Sequence, residues 1–263
     1  MLLKGKKGLL VGLSNDRCIS WGVAQACVAE GAELCIAYHP IMKKRVLPLA
    51  EKLNAKTIEC DVADEESVKR VFEFIGSEWG VLDFMLHAVA FSDKNELRGR
   101  FSNTTHSNFQ NTMTISCFSL ISIAKYARPL LNKSEDGGSI VALTHLGSER
   151  AMPNYNIMGV AKAGLEASVR YLALDLGAEK IRVNAISSGP IRTLAASGIE
   201  GFNLMLRYNE LNSPLRYNVT IEDNGKTALY LLSNMSSGVT GEVLYLDGGY
   251  HIMGMKNPDT PHI

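Results

Sequence analysis

Cysteine is scarce in this chain and is poorly spaced for a structural role. The 263 residues contain five cysteines, an odd number, and no two of them form a C-x-x-C pair. Neither a disulfide framework nor a zinc site is indicated, and the six histidines show no metal-ligand spacing. Free thiols favour a reducing compartment. We therefore expect a cytoplasmic protein with no bound metal.

Net charge and long apolar runs are also absent. The chain carries 27 basic and 27 acidic residues, whereas binding to nucleic-acid phosphates requires a clustered positive field. The apolar run Leu9–Val11 is too short for a signal peptide or a membrane span. We expect neither a nucleic-acid nor a membrane partner. The 46% hydrophobic and 21% charged residues are typical of a globular enzyme.

Short apolar β-rich runs alternate with amphipathic helical segments along the chain. The predicted strands are Gly8–Val11, Leu34–Ala37, Thr57–Cys60, Leu82–Ala88, Ser139–Leu143, Arg182–Ile186 and Val243–Leu246. The predicted helices are Ile19–Glu30, Lys43–Leu53, Glu65–Trp79, Asn103–Leu131, Tyr155–Leu176 and Glu222–Leu232. This alternation predicts an α/β fold: a Rossmann-type, doubly wound parallel sheet of about seven strands with helices on both faces. Residues 1–263 are expected to form a single domain.

The segment between Ile186 and Ile221 departs from this alternation. It is apolar yet contains helix breakers such as Gly198, Gly201 and Pro214. We interpret residues 192–212 as a small helical lid over a binding site, the alternative being an ordinary pair of surface helices. Residues 256–263 are predicted to be a flexible tail.

Three strand ends together indicate a dinucleotide site, although G-x-G-x-x-G is missing. Gly12–Gly22 joins the first strand to the first helix, whose N-terminal amides could bind a pyrophosphate. Asp61 and Val62 follow the third strand, where a carboxylate and an apolar side chain suit an adenine ring. The small residues in Ala88–Phe91 follow the fourth strand and let the backbone approach a ribose. Ligands of such sheets lie across these carboxyl ends.

The residues after the second strand bear on the choice between NADH and NADPH. The usual acidic residue for a ribose hydroxyl is replaced by Tyr38-His39-Pro40. Lys43, Lys44 and Arg45 could reach a 2′-phosphate or could form a solvated first helical turn. We favour NADH over NADPH because no arginine immediately follows the strand.

Tyr155 and Lys162 stand seven residues apart in a predicted helix. At about 100° per residue, seven steps return to within about 20° of the starting face. The phenol and the ammonium are therefore expected to point the same way, so that one helical face offers an acid and a cation to one ligand.

Three blocks of sequence carry a resemblance to a known family. They are Leu146–Lys162, Arg182–Ile199 and Thr240–Gly249, within a match that runs from Leu3 to Met255. In these blocks the chain resembles the enoyl-acyl-carrier-protein reductases of bacterial type II fatty acid synthesis, a branch of the short-chain dehydrogenase/reductases. Most of that superfamily has Tyr-x-x-x-Lys, which would require a tyrosine at Met158, whereas the enoyl reductases have Tyr-x6-Lys.

The resemblance implies a reaction, partners and site residues. Hydride passes from NADH to the β carbon of a trans-2-enoyl thioester on acyl carrier protein, Tyr155 donates to the thioester carbonyl, and Lys162 binds the nicotinamide ribose. A cytoplasmic homotetramer is implied. Cofactor contacts are expected from Gly12, Cys18, Ile19, His39, Asp61, Val62, Ala88, Val89, Lys162, Ile191, Arg192, Thr193 and Leu194. Substrate and lid contacts are expected from Ala90, Phe91, Tyr155, Ala195, Ala196, Ile199, Phe202 and Met205.

The chain departs from the family pattern at several positions. His145 stands where the family has a second tyrosine, and we interpret it as an active-site wall residue rather than the proton donor. Cys18 replaces a serine in the pyrophosphate loop. The lid stretch from Glu200 to Arg207 has a single cation where relatives often have several basic residues, so docking of acyl carrier protein is expected either to be weaker or to use residues such as Arg192 and Arg207.

Two rival functions stay open at this point. One is a ketoreductase or alcohol dehydrogenase of the same superfamily, which would need Tyr-x-x-x-Lys and an upstream serine. The other is a catalytically inactive dinucleotide-sensing protein on the same fold, which would need only the cofactor half of the site.

Overall fold

A computed structural model describes residues 1–193 and 201–257, which contain one seven-stranded parallel sheet. Its order is β3-β2-β1-β4-β5-β6-β7. The strands are β1 Lys7–Val11, β2 Glu33–Tyr38, β3 Lys56–Glu59, β4 Phe84–His87, β5 Ser139–Thr144, β6 Arg182–Ser188 and β7 Val243–Leu246. The chain winds outward twice from β1, so the predicted doubly wound sheet is confirmed.

Alternate strand residues feed two separate apolar layers, one on each face of the sheet. In β1, Leu9 and Val11 lie in one layer and Leu10 lies in the other, all of them buried. This arrangement follows from the two-residue period of a strand and explains why the strands are apolar throughout. Helices Glu65–Glu78, Ser119–Leu131 and Ile157–Leu176 cover the first layer, and helices Ile19–Ala29, Lys43–Lys52 and Ile221–Leu232 cover the second.

The predicted helices are present, with differences at their ends. They are α1 Ile19–Ala29, α2 Lys43–Lys52, α3 Glu65–Glu78, α4 His106–Met113, α5 Ser119–Leu131, α6 Ile157–Leu176, α7 Phe202–Asn212 and α8 Ile221–Leu232. The predicted helix over Asn103–Leu131 is corrected: it starts at His106, where Thr105 caps its N-terminus, and a π-helical turn, Thr114–Phe118, joins α4 to α5. The strand predicted over Leu82–Ala88 is shortened to β4.

Part of the predicted lid is helical. Residues 202–212 of that segment form α7, while Leu194, Ala195, Ala196 and Ile199 lie outside the described residues, as do residues 258–263 of the predicted tail. None of the helices in the described ranges is both long and apolar enough to cross a membrane. All five cysteines are buried and carry free thiols.

Candidate active site

The site lies at the carboxyl ends of the strands, where the order reverses between β1 and β4. The amide of Gly12 donates to the carbonyl of Ala37, and the amide of Ala88 donates to that of Val11, which aligns the three strand ends. Gly12 has φ +103°, and a Cβ there would stand 2.4 Å from the carbonyl oxygen of Ala88. Glycine is therefore required for the two loops to meet at this switch point.

The N-terminus of α1 is suited to bind an anionic group. Cys18 is its N-cap, with extended backbone and no side-chain cap hydrogen bond. The thiol of Cys18 instead lies 2.9 Å from the carbonyl oxygen of Asn15 and 3.0 Å from the hydroxyl of Ser20. The Cys18 side chain therefore leaves the first-turn amides of α1 available to bind a phosphate.

The predicted adenosine end is assembled from two neighbouring strands. Asp61 follows β3, and its second carboxylate oxygen lies 3.8 Å from Nε2 of His39, which follows β2. Val62 and Val89 pack against the core beside them. Lys43 pairs with Glu59 at 2.8 Å, so this cation is engaged by a carboxylate rather than directed to a 2′-phosphate.

Tyr155 does not lie on a helix, and the prediction that it shares a helical face with Lys162 is wrong. Asn154 and Asn156 have φ +59° and +40°, so the chain turns sharply on both sides of Tyr155 and α6 begins only at Ile157. Asparagine tolerates this left-handed region better than most residues. The side-chain amide of Asn156 holds the turn by donating to the carbonyls of Glu96, Leu97 and Gly99.

The phenol of Tyr155 is nevertheless placed in the site. Its side chain is 9% exposed and packs with Leu97 and Met158. Gly147 makes room for the ring, because a Cβ at that position would stand 2.5 Å from Cδ1 of Tyr155. Burial, with a smaller contribution from Glu166, raises the pKa of Tyr155 above its usual value. Tyr155 therefore remains a protonated phenol, able to donate a hydrogen bond.

Lys162 is a buried cation at the end of β5. It is 5% exposed, and its Nζ donates to the carbonyl oxygen of Leu143 at 2.7 Å. Burial lowers the pKa of Lys162 to about 8, although Cys117 and Glu166 oppose this change. The ammonium form consequently exists near neutral pH but is close to losing its proton.

His145 lies against the ring of Tyr155. Its ring centroid is 4.9 Å from that of Tyr155, and its Nδ1 accepts a hydrogen bond from the amide of Gly147 at 3.0 Å. Burial, with the Lys162 charge adding to it, lowers the pKa of His145 to about 4. The ring is therefore neutral near pH 7, and because Nδ1 accepts, its proton is on Nε2.

Sequence reasoning missed three groups of polar residues in the core beside the site. The hydroxyl of Thr144 donates to the carboxylate of Glu166 at 2.5 Å, and both side chains are buried. The hydroxyl of Ser116, in the π-helical turn, accepts from the amide of Phe91 and donates to its carbonyl, both at 2.9 Å. His87 is fully buried and pairs with Ser119. Of these residues, only Glu166 could have been found from the sequence, because it lies four residues after Lys162 and so shares its helical face.

The remaining predicted contacts are distributed around the same edge. Ala90 and Phe91 are exposed after β4, and Ile191, Arg192 and Thr193 follow β6. An open cavity of about 670 Å³ lies between the α1 loop and α7, and Ile191, Arg192, Arg17 and Arg207 line it. Phe202 and Met205 are half-buried on α7.

Residues 1–193 and 201–257 contain no cluster of side chains suited to hold a metal ion.

Residues 12–251 match the family model described as enoyl-(acyl carrier protein) reductase. The chain belongs to this family. Enoyl-acyl-carrier-protein reductase [NADH] 1 of Rhizobium meliloti is 53% identical over 264 residues, covering 100% of this chain and 96% of the relative. The [NADH] FabI enzyme of Rickettsia felis is 51% identical over 96% of this chain and 97% of its own length.

Solved structures of enoyl-acyl-carrier-protein reductases have the same fold as this chain. The Anaplasma phagocytophilum enzyme in complex with NAD has a TM-score of 0.94 and 51% identity, covering 100% of this chain and 98% of that one. The Bacillus cereus enzyme, solved with NADP+ and an indole naphthyridinone, has a TM-score of 0.94 and 44% identity, with coverages of 97% and 99%. The predicted NADH-dependent enoyl reductase is confirmed: the chain is an oxidoreductase of fatty acid synthesis.

Proposed function

We propose that Tyr155 and Lys162 perform the reduction, Tyr155 at the thioester carbonyl and Lys162 at the nicotinamide ribose. The observation that carries this proposal is that two ionisable side chains are buried together at the carboxyl end of β5. Burying ionisable groups costs free energy and is usual where they serve chemistry. The open α1 N-terminus and the loops at Gly12 and Ala88 suit a dinucleotide.

When bound, NADH supplies the hydride that reaches the β carbon of the enoyl thioester. Negative charge then moves to the carbonyl oxygen of the substrate, and the Tyr155 phenol donates a hydrogen bond that strengthens as this charge grows. Lys162, as a buried cation, favours that negative charge and holds the ribose hydroxyls. The substrate enolate then takes a proton at its α carbon, which completes the saturated acyl chain.

His145 is assigned to the wall of the substrate pocket. A neutral ring that receives the Gly147 amide on Nδ1 presents Nε2–H as a fixed donor beside Tyr155. It is a poor acid for catalysis, because a neutral imidazole does not release its proton near pH 7. Its role is to orient the phenol and shape the pocket rather than to protonate the product.

The rival ketoreductase chemistry has no suitable group at the required position. A phenol one helical turn before Lys162 would have to come from position 158, and Met158 there is buried against Ser116 and Tyr155. The Met158 thioether is only a weak acceptor and cannot donate to a carbonyl.

Acyl carrier protein is the proposed donor of the substrate. Arg192 and Arg207 line the cavity beside α7, and Arg192 donates to the side-chain oxygen of Asn203 at 2.8 Å. These cations are where we expect the acidic carrier to dock. Phe202 and Met205 on α7, with Ala195, Ala196 and Ile199 in the preceding segment, would cover the acyl chain.

We also propose a cytoplasmic homotetramer. Helices α4 to α6 and the intervening turn carry large exposed apolar side chains, namely Phe109, Phe118, Ile121, Tyr171 and Leu174. Exposed apolar surface of this kind is typical of contact surfaces between subunits. Sedimentation velocity tests the assembly, with a monomer as the contrary result.

The experiment is a rate assay on four proteins. Oxidation of NADH and NADPH is followed separately with a crotonyl thioester for wild type, Tyr155→Phe, Lys162→Met and His145→Phe. We expect Tyr155→Phe to lower kcat by about 10²-fold or more, Lys162→Met to weaken NADH binding, and His145→Phe to retain turnover. If His145→Phe abolished turnover while Tyr155→Phe left it intact, the two roles would be reversed.

A further inference from the structure

The buried carboxylate of Glu166 has no role in the proposed reaction. It is 5% exposed, accepts the Thr144 hydroxyl at 2.5 Å, and forms no ion pair with any described residue. A carboxylate without a salt bridge is costly to bury. A residue of this kind calls for a role beyond packing.

Glu166 and Lys162 attach α6 to the end of β5 at two adjacent points. They are four residues apart on the helix and therefore lie on the same face, one turn from each other. Lys162 donates to the carbonyl of Leu143, and Glu166 accepts from the hydroxyl of Thr144, the next residue of β5. This arrangement fixes the helix against the strand end that leads into His145.

The titratable groups around Lys162 and Glu166 come from five elements. They are His87, the last residue of β4; Cys117 in the π-helical turn; His145 after β5; Tyr155 before α6; and Tyr245 in β7 with Asp247 just after it. Burial raises the pKa values of Cys117 and Tyr155 and lowers those of His87 and His145, so all four are uncharged near neutral pH. Asp247 is bonded to His251 and to backbone amides.

The Glu166 carboxylate acts to raise the pKa of both proposed catalytic side chains, Lys162 and Tyr155. Burial lowers the pKa of Lys162, and Cys117 and Glu166 oppose that change. Because Cys117 stays a thiol, Glu166 supplies the effective charge near neutral pH. The same carboxylate adds to the effect of burial in raising the pKa of Tyr155.

We propose that Glu166 is a positioning residue: its buried carboxylate, held by Thr144 one helical turn from Lys162, stabilises the Lys162 ammonium against the end of β5. This inference rests on the proposed roles of Tyr155 and Lys162. Thr144 fixes the carboxylate toward the strand end, and the carboxylate in turn offsets the cost of a buried cation.

The test is the pH profile of kcat/KM for NADH, which reports groups of the free enzyme. Initial rates with a crotonyl thioester are measured from about pH 6 to about pH 10 for wild type, Glu166→Gln, Cys117→Ser and Lys162→Arg. Wild type should lose activity on the alkaline side as Lys162 deprotonates, with a pKa of about 8. We call this fall in kcat/KM at high pH the alkaline limb. Lys162→Arg should not show the alkaline limb, because arginine keeps its proton.

Glu166→Gln keeps the shape and the acceptor for Thr144 but removes the charge. We expect the alkaline limb to move by about one pH unit to lower pH, the order expected for a unit charge one helical turn away. Cys117→Ser is the matched control, buried beside the same lysine, and should leave the limb in place. Glu166→Asp, which retains the charge, should restore the wild-type limb.

The outcomes separate the two hypotheses. A limb that is absent from Lys162→Arg but unmoved in Glu166→Gln overturns the role of Glu166 alone. A limb that persists in Lys162→Arg overturns the assignment of Lys162 and the inference with it. Should Glu166→Gln fail to fold, the double variant Thr144→Val/Glu166→Leu replaces both partners by apolar groups of similar shape, a change that is often tolerated. It should move the limb in the same direction.

Discussion

His87 should make the fold sensitive to acid, and His87→Gln should relieve that sensitivity. The imidazole is fully buried, and its Nε2 lies 2.8 Å from the hydroxyl of Ser119. That hydroxyl donates to the carbonyl of Ile115, so Nε2 carries the proton. Nδ1 then points into the core with no partner among the described residues. A second proton on this ring would have no acceptor.

The size of the effect follows from the displaced pKa. Burial, with the charge of Lys162 adding to it, lowers the pKa of His87 from 6.5 to about 3. Between these values the unfolded chain binds a proton that the folded chain does not, so stability falls as the pH falls. Because His87 takes up a proton on unfolding, the free energy of unfolding should fall by about 2 kcal/mol as the pH is lowered from about 6.5 to about 4.5. His145 contributes in the same direction, because its pKa is lowered to about 4.

Urea unfolding of the cofactor-free protein at a series of pH values measures this slope. His87→Gln keeps an amide donor for Ser119 but cannot titrate, so its slope should be shallower by up to about 1.4 kcal/mol per pH unit. His106→Gln, at an exposed position, is the control and should match wild type. Parallel slopes for His87→Gln and wild type would show that His87 does not cause the acid sensitivity.

Three further predictions concern the surroundings of the site. Gly147→Ala should lower kcat by about tenfold or more, because its Cβ would stand 2.5 Å from the Tyr155 ring; steady-state rates measure this, and an unchanged kcat would contradict it. Asn156→Ala should destabilise the fold by about 2 kcal/mol in urea, because it loses three carbonyl contacts at φ +40°; Asn156→Gly should cost less. Cys18→Ser should tighten NADH binding by about two- to tenfold, since a hydroxyl is a better hydrogen-bond donor to phosphate than a thiol. A fluorescence titration measures this, and unchanged binding would mean that the side chain does not face the phosphates.

The fold was predictable because its signals are local. Apolar strands spaced by amphipathic helices dictate a covered parallel sheet, and connection rules leave few orders for it. The strand-end residues Gly12, Asp61 and Ala88 then come to one edge by topology alone. Their placement required no knowledge of side-chain packing.

Other features of the site depend on backbone details that periodicity does not encode. The turn around Tyr155 is set by left-handed Asn154 and Asn156, so a helical wheel drawn through Tyr155 places it wrongly. The π-helical turn that aims Ser116 at Phe91 leaves no mark in the hydrophobic pattern. Glu166 was within reach of sequence reasoning, because a carboxylate four residues after a buried lysine shares its helical face.

The position of deuterium in the product tests conjugate reduction most directly. The enzyme is given NADH deuterated at the transferable position together with a crotonyl thioester in ordinary water, and the product is analysed by mass spectrometry and NMR. We expect one deuterium at the β carbon and a solvent-derived proton at the α carbon of a saturated thioester. Deuterium at a carbinol carbon, or none in the product, would contradict conjugate reduction by this site.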